Sequence, residues 1–108
     1  MLVVTRYLVD AADAAGFLPR ARVALSALSG QPGWRSGRIG RATDDVNMWV
    51  LTTEWDSVGA YRRALSAYEV KIHAVPVLSL AVNEVSAFEV LVAQGAGADG
   101  LAAPSGLA

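Results

Sequence analysis

Asn47 to Trp55, read NMWVLTTEW, alternates with a period of two, and neither side of the alternation is polar enough to be left in water. Trp49, Leu51, Thr53 and Trp55 share one face, while Met48, Val50, Thr52 and Glu54 share the other. Such a strand has to be covered on both sides. One cover can come from the chain's own helices. With 108 residues, 54% of them apolar and only 18% charged, the chain is too small to hide the rest alone, so the second cover is expected from another copy of itself.

The remaining elements follow from local pattern. Leu2 to Val9 is rich in β-branched residues and predicts a first strand. Phe17, Leu18, Ala21, Ala24, Leu25 and Leu28 recur at helical spacing, and Pro19 predicts that the firm helix begins near Phe17 or that an earlier turn kinks there. Ser29-Gly30-Gln31-Pro32-Gly33 stops it. Trp34 to Arg41 predicts a second strand, bulged or strongly twisted because of Gly37 and Gly40, with Arg35 and Arg41 on one face and Arg38 on the other. Thr43-Asp44-Asp45 turns the chain into the third strand. Asp56 and Ser57 cap a helix through Ala60, Tyr61, Ala64 and Leu65, and a second helical stretch runs from Tyr68 towards Leu80 with an irregularity at Pro76. Ser86 to Val92 reads as the last strand. The order βαββαβ predicts an α+β fold, an antiparallel four-stranded sheet with helices on one face, over residues 1–93. Residues 94–108 read as a flexible C-terminal extension of Gly, Ala and Pro.

Charge and cysteine count remove whole classes of function. Nine Lys and Arg against ten Asp and Glu leave no cationic surplus for nucleic acid or an anionic membrane. With no Cys there is neither a disulfide nor a Cys-based zinc site, a single His excludes a His-pair site, and no metal ligand set is expected. No apolar run approaches the roughly 18 to 20 residues that span a bilayer, and the opening MLVVTRYLVD has no cationic leader, so a cytoplasmic protein is expected. Gly95 to Gly100 spells GxGxxG, but no helix and strand can follow it as a pyrophosphate site requires.

Three features carry chemistry. Trp55 ends a strand and Tyr61 returns towards it on a capped helix; the pair is either core packing or the wall of a pocket for a flat aromatic ligand. In Tyr68-Glu-Val-Lys-Ile-His73, Tyr68, Lys71 and the neighbourhood of Ile72 fall on one side of a helical turn with His73 about 100° per residue further round, and His73 is either a structural residue, a general base or an iron ligand. Arg35, Arg38 and Arg41 are either solvated edge charges or an anchor for a carboxylate or phenolate.

The strings Pro32-Gly33-Trp34, Trp49-Val-Leu-Thr-Thr-Glu-Trp55-Asp-Ser57, Ala60-Tyr61-Arg62 and Ser86-Ala-Phe88-Glu-Val90, in a βαββαβ order, resemble the antibiotic biosynthesis monooxygenase family over about residues 1–93. The resemblance implies ferredoxin-like subunits paired into a dimeric α+β barrel, and oxidation of aromatic polyketide-like phenols or anthrones by dioxygen with no cofactor. It implies a pocket made by an Asn four residues before a Trp, that Trp, and a Tyr six residues after it. Trp55 and Tyr61 match, and Leu51 stands at the Asn position. A haem-degrading branch ligates iron with a His eighteen residues after the Trp, the spacing of His73 from Trp55, and has Asn and Trp where this chain has Tyr7 and Ala64. The expected site therefore has His73 as base, Tyr61 as donor, and Trp55, Trp49, Leu51, Tyr68 and Arg38 around a small aromatic substrate in a homodimer. The alternatives are a haem protein using His73 and a non-catalytic ligand-binding dimer.

Overall fold

The first strand pairs along its whole length with the third, Leu2 opposite Glu54 through Leu8 opposite Met48, and that register decides which side chains meet the helices. A computed structural model describes residues 1–95. Its elements are β1 (Leu2–Leu8), α1 (Ala11–Ser29), β2 (Trp34–Arg41), β3 (Met48–Trp55), α2 (Val58–Leu65), α3 (Tyr68–His73), α4 (Val75–Leu78) and β4 (Ala87–Phe88). The sheet order is β2-β3-β1-β4 with every pairing antiparallel, the ferredoxin-like arrangement of an α+β fold.

Val3, Thr5 and Tyr7 on β1 join Trp49, Leu51, Thr53 and Trp55 on β3 to form a buried face. Against it pack Phe17, Ala21, Ala24 and Leu28 of α1, Ala60 and Ala64 of α2, and Val70, Ala74 and Val77 from α3 onward. Small residues on the helices meet large ones on the sheet, which lets the helix backbones approach the indoles closely. On the opposite face Leu2, Val4, Leu8, Met48, Val50 and Phe88 have no helix over them, and Leu8 is 69% exposed.

Four local expectations are corrected. Helix α1 begins at Ala11, not near Phe17, and Pro19 sits inside it. Pro19 and Ala15 are both exposed, so the carbonyl left without its N–H partner can turn to water. The last strand is Ala87–Phe88, not Ser86 to Val92: Phe88 already pairs with Leu2, the first residue of β1, so Glu89 to Val92 have no strand left to pair with. The bulge in β2 falls between Trp34 and Ser36, so Arg35 is the extra residue and does not share the face of Arg41. The bulge turns the Trp34 indole onto the helix side, where its ring fills the space above Gly37 and leaves no room for a Cβ there. The second helical stretch breaks at Ala74 into α3 and α4, two residues before Pro76. Of the expected extension only Gln94 and Gly95 are described, and the rest of it, with most of the GxGxxG string, lies outside the described residues. No described helix is long and apolar enough to cross a membrane.

Candidate functional site

Between the sheet and the helices the aromatic side chains form two stacks. Trp34 meets Trp55 edge to face with centroids 5.4 Å apart, and Trp55 meets Tyr61 at 5.5 Å. Tyr7 meets Phe17 at 5.2 Å, and Phe17 meets Trp49 at 5.5 Å. Ser57 makes this possible at the helix end: its Oγ accepts the Ala60 N–H, fixing the start of α2 so that Tyr61 projects back onto Trp55.

The polar atoms of this layer are mostly committed. The Trp55 Nε1–H donates to Thr53 Oγ1 at 2.9 Å. Thr5 Oγ1 donates to the Leu51 carbonyl at 3.3 Å; having one proton, it then accepts from the Tyr7 hydroxyl at 2.9 Å. Two donors are left over. The Trp49 Nε1–H is buried without a partner, under the Arg41 guanidinium 5.5 Å from a Trp49 ring centre. The Tyr61 hydroxyl makes no hydrogen bond among the described residues. Burial pushes the Tyr61 phenol above its ordinary range, and Tyr7 nearby adds to the shift. Tyr7 is raised by burial too, partly offset by its bond to Thr5. Both phenols therefore stay protonated at neutral pH, and Tyr61 can donate to an anion.

Beside Tyr7 and Phe17 lies a cavity of about 410 Å³, also lined by Asp13, Gly16, Arg20 and Leu80. That size suits a small molecule, for which pockets run about 300–1,000 Å³. A shallower groove of about 310 Å³ lies between α1 and the α3–α4 stretch, lined by Pro19, Arg20, Val23, Ile72, His73 and Pro76 among others.

Of the residues expected at one site, the structure brings Tyr61 onto Trp55, with Leu51 on the same inner face of β3 and Trp49 towards the other end of that strand in the second stack. It does not bring the other three. His73 is exposed in the groove, because Val70, Ala74 and Val77 form the buried stripe of this stretch and His73 lies off it. Tyr68 is 74% exposed at the start of α3. Arg38 is opposite Thr52 on the face away from the helices. Haem finds no fit at His73: the groove is open, and the inner layer that could cover a tetrapyrrole is filled by Tyr7, Phe17 and Trp49. No group of three or more metal-ligating side chains occurs among the described residues. The cavity residues Asp13, Gly16 and Arg20 were not singled out from sequence, although their seven-residue span on one helix, with Phe17 between, marks a common face.

Residues 1–73 match the antibiotic biosynthesis monooxygenase family. SnoaB, a cofactor-independent oxygenase from Streptomyces nogalater, is similar in structure with a TM-score of 0.65 and 27% identity, covering 83% of this chain and 94% of that one. An asparagine-to-alanine mutant of SnoaB gives a TM-score of 0.66 at the same identity and coverage. A conserved protein from Methanosarcina mazei Go1 shares the fold at a TM-score of 0.65 and 14% identity, covering 80% of this chain and 84% of that one. No curated protein matches the chain.

Proposed function

Since the chain belongs to the antibiotic biosynthesis monooxygenase family, its chemistry at family level is monooxygenation, and we propose that it oxidises an aromatic polyketide-like phenol or anthrone with dioxygen and no cofactor. The observation that carries this is the Tyr61 phenol, kept neutral, without a hydrogen-bond partner among the described residues, and set against Trp55 in an aromatic interior. The similarity to a cofactor-independent oxygenase supports it.

Oxygen activation without a cofactor requires an electron-rich carbanion or phenolate. An anthrone that loses a proton from its ring CH₂ becomes such an anion, with the negative charge largely on oxygen. It passes one electron to dioxygen, the two radicals combine to a peroxide, and loss of water leaves the quinone, so that CH₂ and O₂ become C=O and H₂O. The protein has to stabilise the oxyanion in a dry, low-dielectric place, and a neutral phenol does so by donating a hydrogen bond. Leu51, buried and apolar, leaves that donation to Tyr61. Trp55, itself buried, backs the Tyr61 ring and holds it in place. The base expected at His73 lies in the groove on the far side of α1 and α3, so Tyr61, by stabilising the anion, lowers the substrate's own pKa, and the proton is lost to solvent before the ring is enclosed. The active form is a homodimer, with the uncovered sheet faces of two copies packed together.

The test is quinone formation from an anthrone such as dithranol in chelator-treated buffer. Tyr61→Phe is expected to lower kcat by about 10²- to 10³-fold, the usual effect of removing one oxyanion donor. His73→Ala is expected to stay within a factor of about three. No quinone beyond the uncatalysed rate across phenol and anthrone substrates would overturn the proposal, and equal turnover by Tyr61→Phe would remove Tyr61 from it.

A further inference from the structure

Helix α1 lies against both α3 and α4, and the seam between them is the groove of about 310 Å³ with Pro19 and Val23 on one wall and Ile72 and Pro76 on the other. We propose that this groove docks an acidic amphipathic helix of a protein partner, whose apolar stripe lies on Val23 and Ile72 and whose carboxylates meet Arg20 and His73. The inference does not depend on the oxidation chemistry or on the inner aromatic layer.

Three observations converge. First, the groove is apolar and open: Val23 and Ile72 are each 48% exposed, and Pro19 and Pro76 are exposed beside them. From Pro19 to Val23 the wall rises about 6 Å, one helical turn, which is the spacing at which a docked helix presents residues i and i+3 or i+4. A contact that short is weak and reversible. Second, the groove lining contains Arg20 and His73 and no acid. The four helices carry Arg20, Arg22, Arg62, Arg63 and Lys71 against Asp13 and Glu69, five cations to two acids, or +3, in a chain whose net charge is −1. All five cations are exposed, and none is in an ion pair among the described residues. The helix layer therefore attracts a negative partner and repels a positive one. Arg20 and His73 alone reach the groove, which suits a pair of carboxylates and not the many phosphates of a nucleic acid. Third, Pro19 stands in the interior of α1, where it removes a helical hydrogen bond and crowds the preceding turn. It is exposed and packs into no part of the core, so nothing inside the described chain offsets that cost. Local rules are broken where a surface has work to do. A proline ring, here one on each wall, is a rigid apolar patch that loses no rotamer freedom when a partner covers it.

The experiment titrates a stapled helical peptide, with leucines along one stripe and glutamates elsewhere, into the full chain while NMR follows the methyl signals of Val23 and Ile72. Both signals are expected to shift to saturation, a counterpart with lysine for glutamate is expected to shift neither, and added salt should weaken binding. Arg20→Glu should weaken it about ten- to a hundredfold, as like charges brought together do. Arg22→Glu makes the same change in net charge but lies beside Trp34, off the groove, and should stay within a factor of about three. Ile72→Ser should weaken binding about tenfold through lost apolar contact. Arg20 and Ile72 are exposed, so the melting temperature is expected to hold in both variants. Absence of a saturable shift, equal binding of the lysine peptide, or equal losses in Arg20→Glu and Arg22→Glu each overturns the proposal. Binding of anionic vesicles at the same two methyl groups would give the face to a membrane, and contacts to Ile72 from a second copy or from residues 96–108 in the free protein would give it to that occupant; either result overturns the proposal as well.

Discussion

Tyr61 and Tyr7 link the site to stability through their protons. Both phenols are raised in the folded chain, whereas the unfolded chain releases them near the ordinary value of 10.0. Below that pH both states hold the protons and these groups make stability independent of pH. Above it the unfolded state has already shed protons that the folded state retains, so unfolding becomes easier as pH rises. Urea unfolding between pH 8 and 11 should show a flat stretch followed by a decline, and Tyr61→Phe should make the decline shallower; equal slopes would count against burial as the cause. At Gly37 a Cβ would run into the Trp34 indole and lie 2.7 Å from Leu25 Cδ1. Gly37→Ala should therefore cost about 1–3 kcal/mol, as overpacking does, seen as a lower urea midpoint with an unchanged slope. At this scale the sequence was most informative where geometry is local. Trp55 and Tyr61 are joined by a strand end and a capped helix start, both readable over seven residues. His73, Tyr68 and Arg38 depend on which side of a helix or strand meets the rest of the molecule, and short-range pattern does not carry that. Asp13, Gly16 and Arg20 straddle Phe17 and Pro19, where the sequence leaves the start of the helix open, so their common face is not legible there.

Among the elements, α2 is eight residues long and leans on its cap. Ser57→Ala removes the acceptor for the Ala60 N–H and should cost about 1 kcal/mol. In a domain of this size that lowers the melting temperature by about 4–8 °C. Because Tyr61 rides on the fourth residue of this helix, anthrone turnover should fall in the same variant, and Ser57→Asp should restore both. The order of elements was legible because periodicity differs sharply between β3, with its alternating indoles, and α1, with Phe17, Ala21, Ala24 and Leu28. Two boundaries were not. A proline normally ends a helix, yet at position 19 the solvent side of α1 tolerates one. The β-branched run at the end of the described chain looked like a full strand, yet a strand needs a partner, and β1 has none to offer beyond Leu2. Propensity is a property of the segment, whereas pairing is a property of the sheet.

For the whole molecule the bare sheet face matters most. Leu2, Val4, Leu8, Met48, Val50 and Phe88 put apolar side chains on it, with Arg6, Arg38, Thr52 and Glu54 among them, and no described helix covers it. Under the proposed dimer, sedimentation at micromolar concentration should return twice the chain mass of 11.3 kDa, and Val50→Asp should shift the protein towards monomer. A wild-type monomer under those conditions would remove the dimer from the proposal. The outer strand β2 has a different consequence. It forms one edge of the sheet, and that edge carries a bulge at Arg35, which is paired with Asp56, with Arg38 and Arg41 further along and a glycine next to each of them. Regular, uncharged edges recruit strands from other molecules and grow into fibres; a kinked rim of guanidinium groups makes a poor template for that growth. A chain more than half apolar can thus be stored and concentrated without seeding amyloid from its own margin.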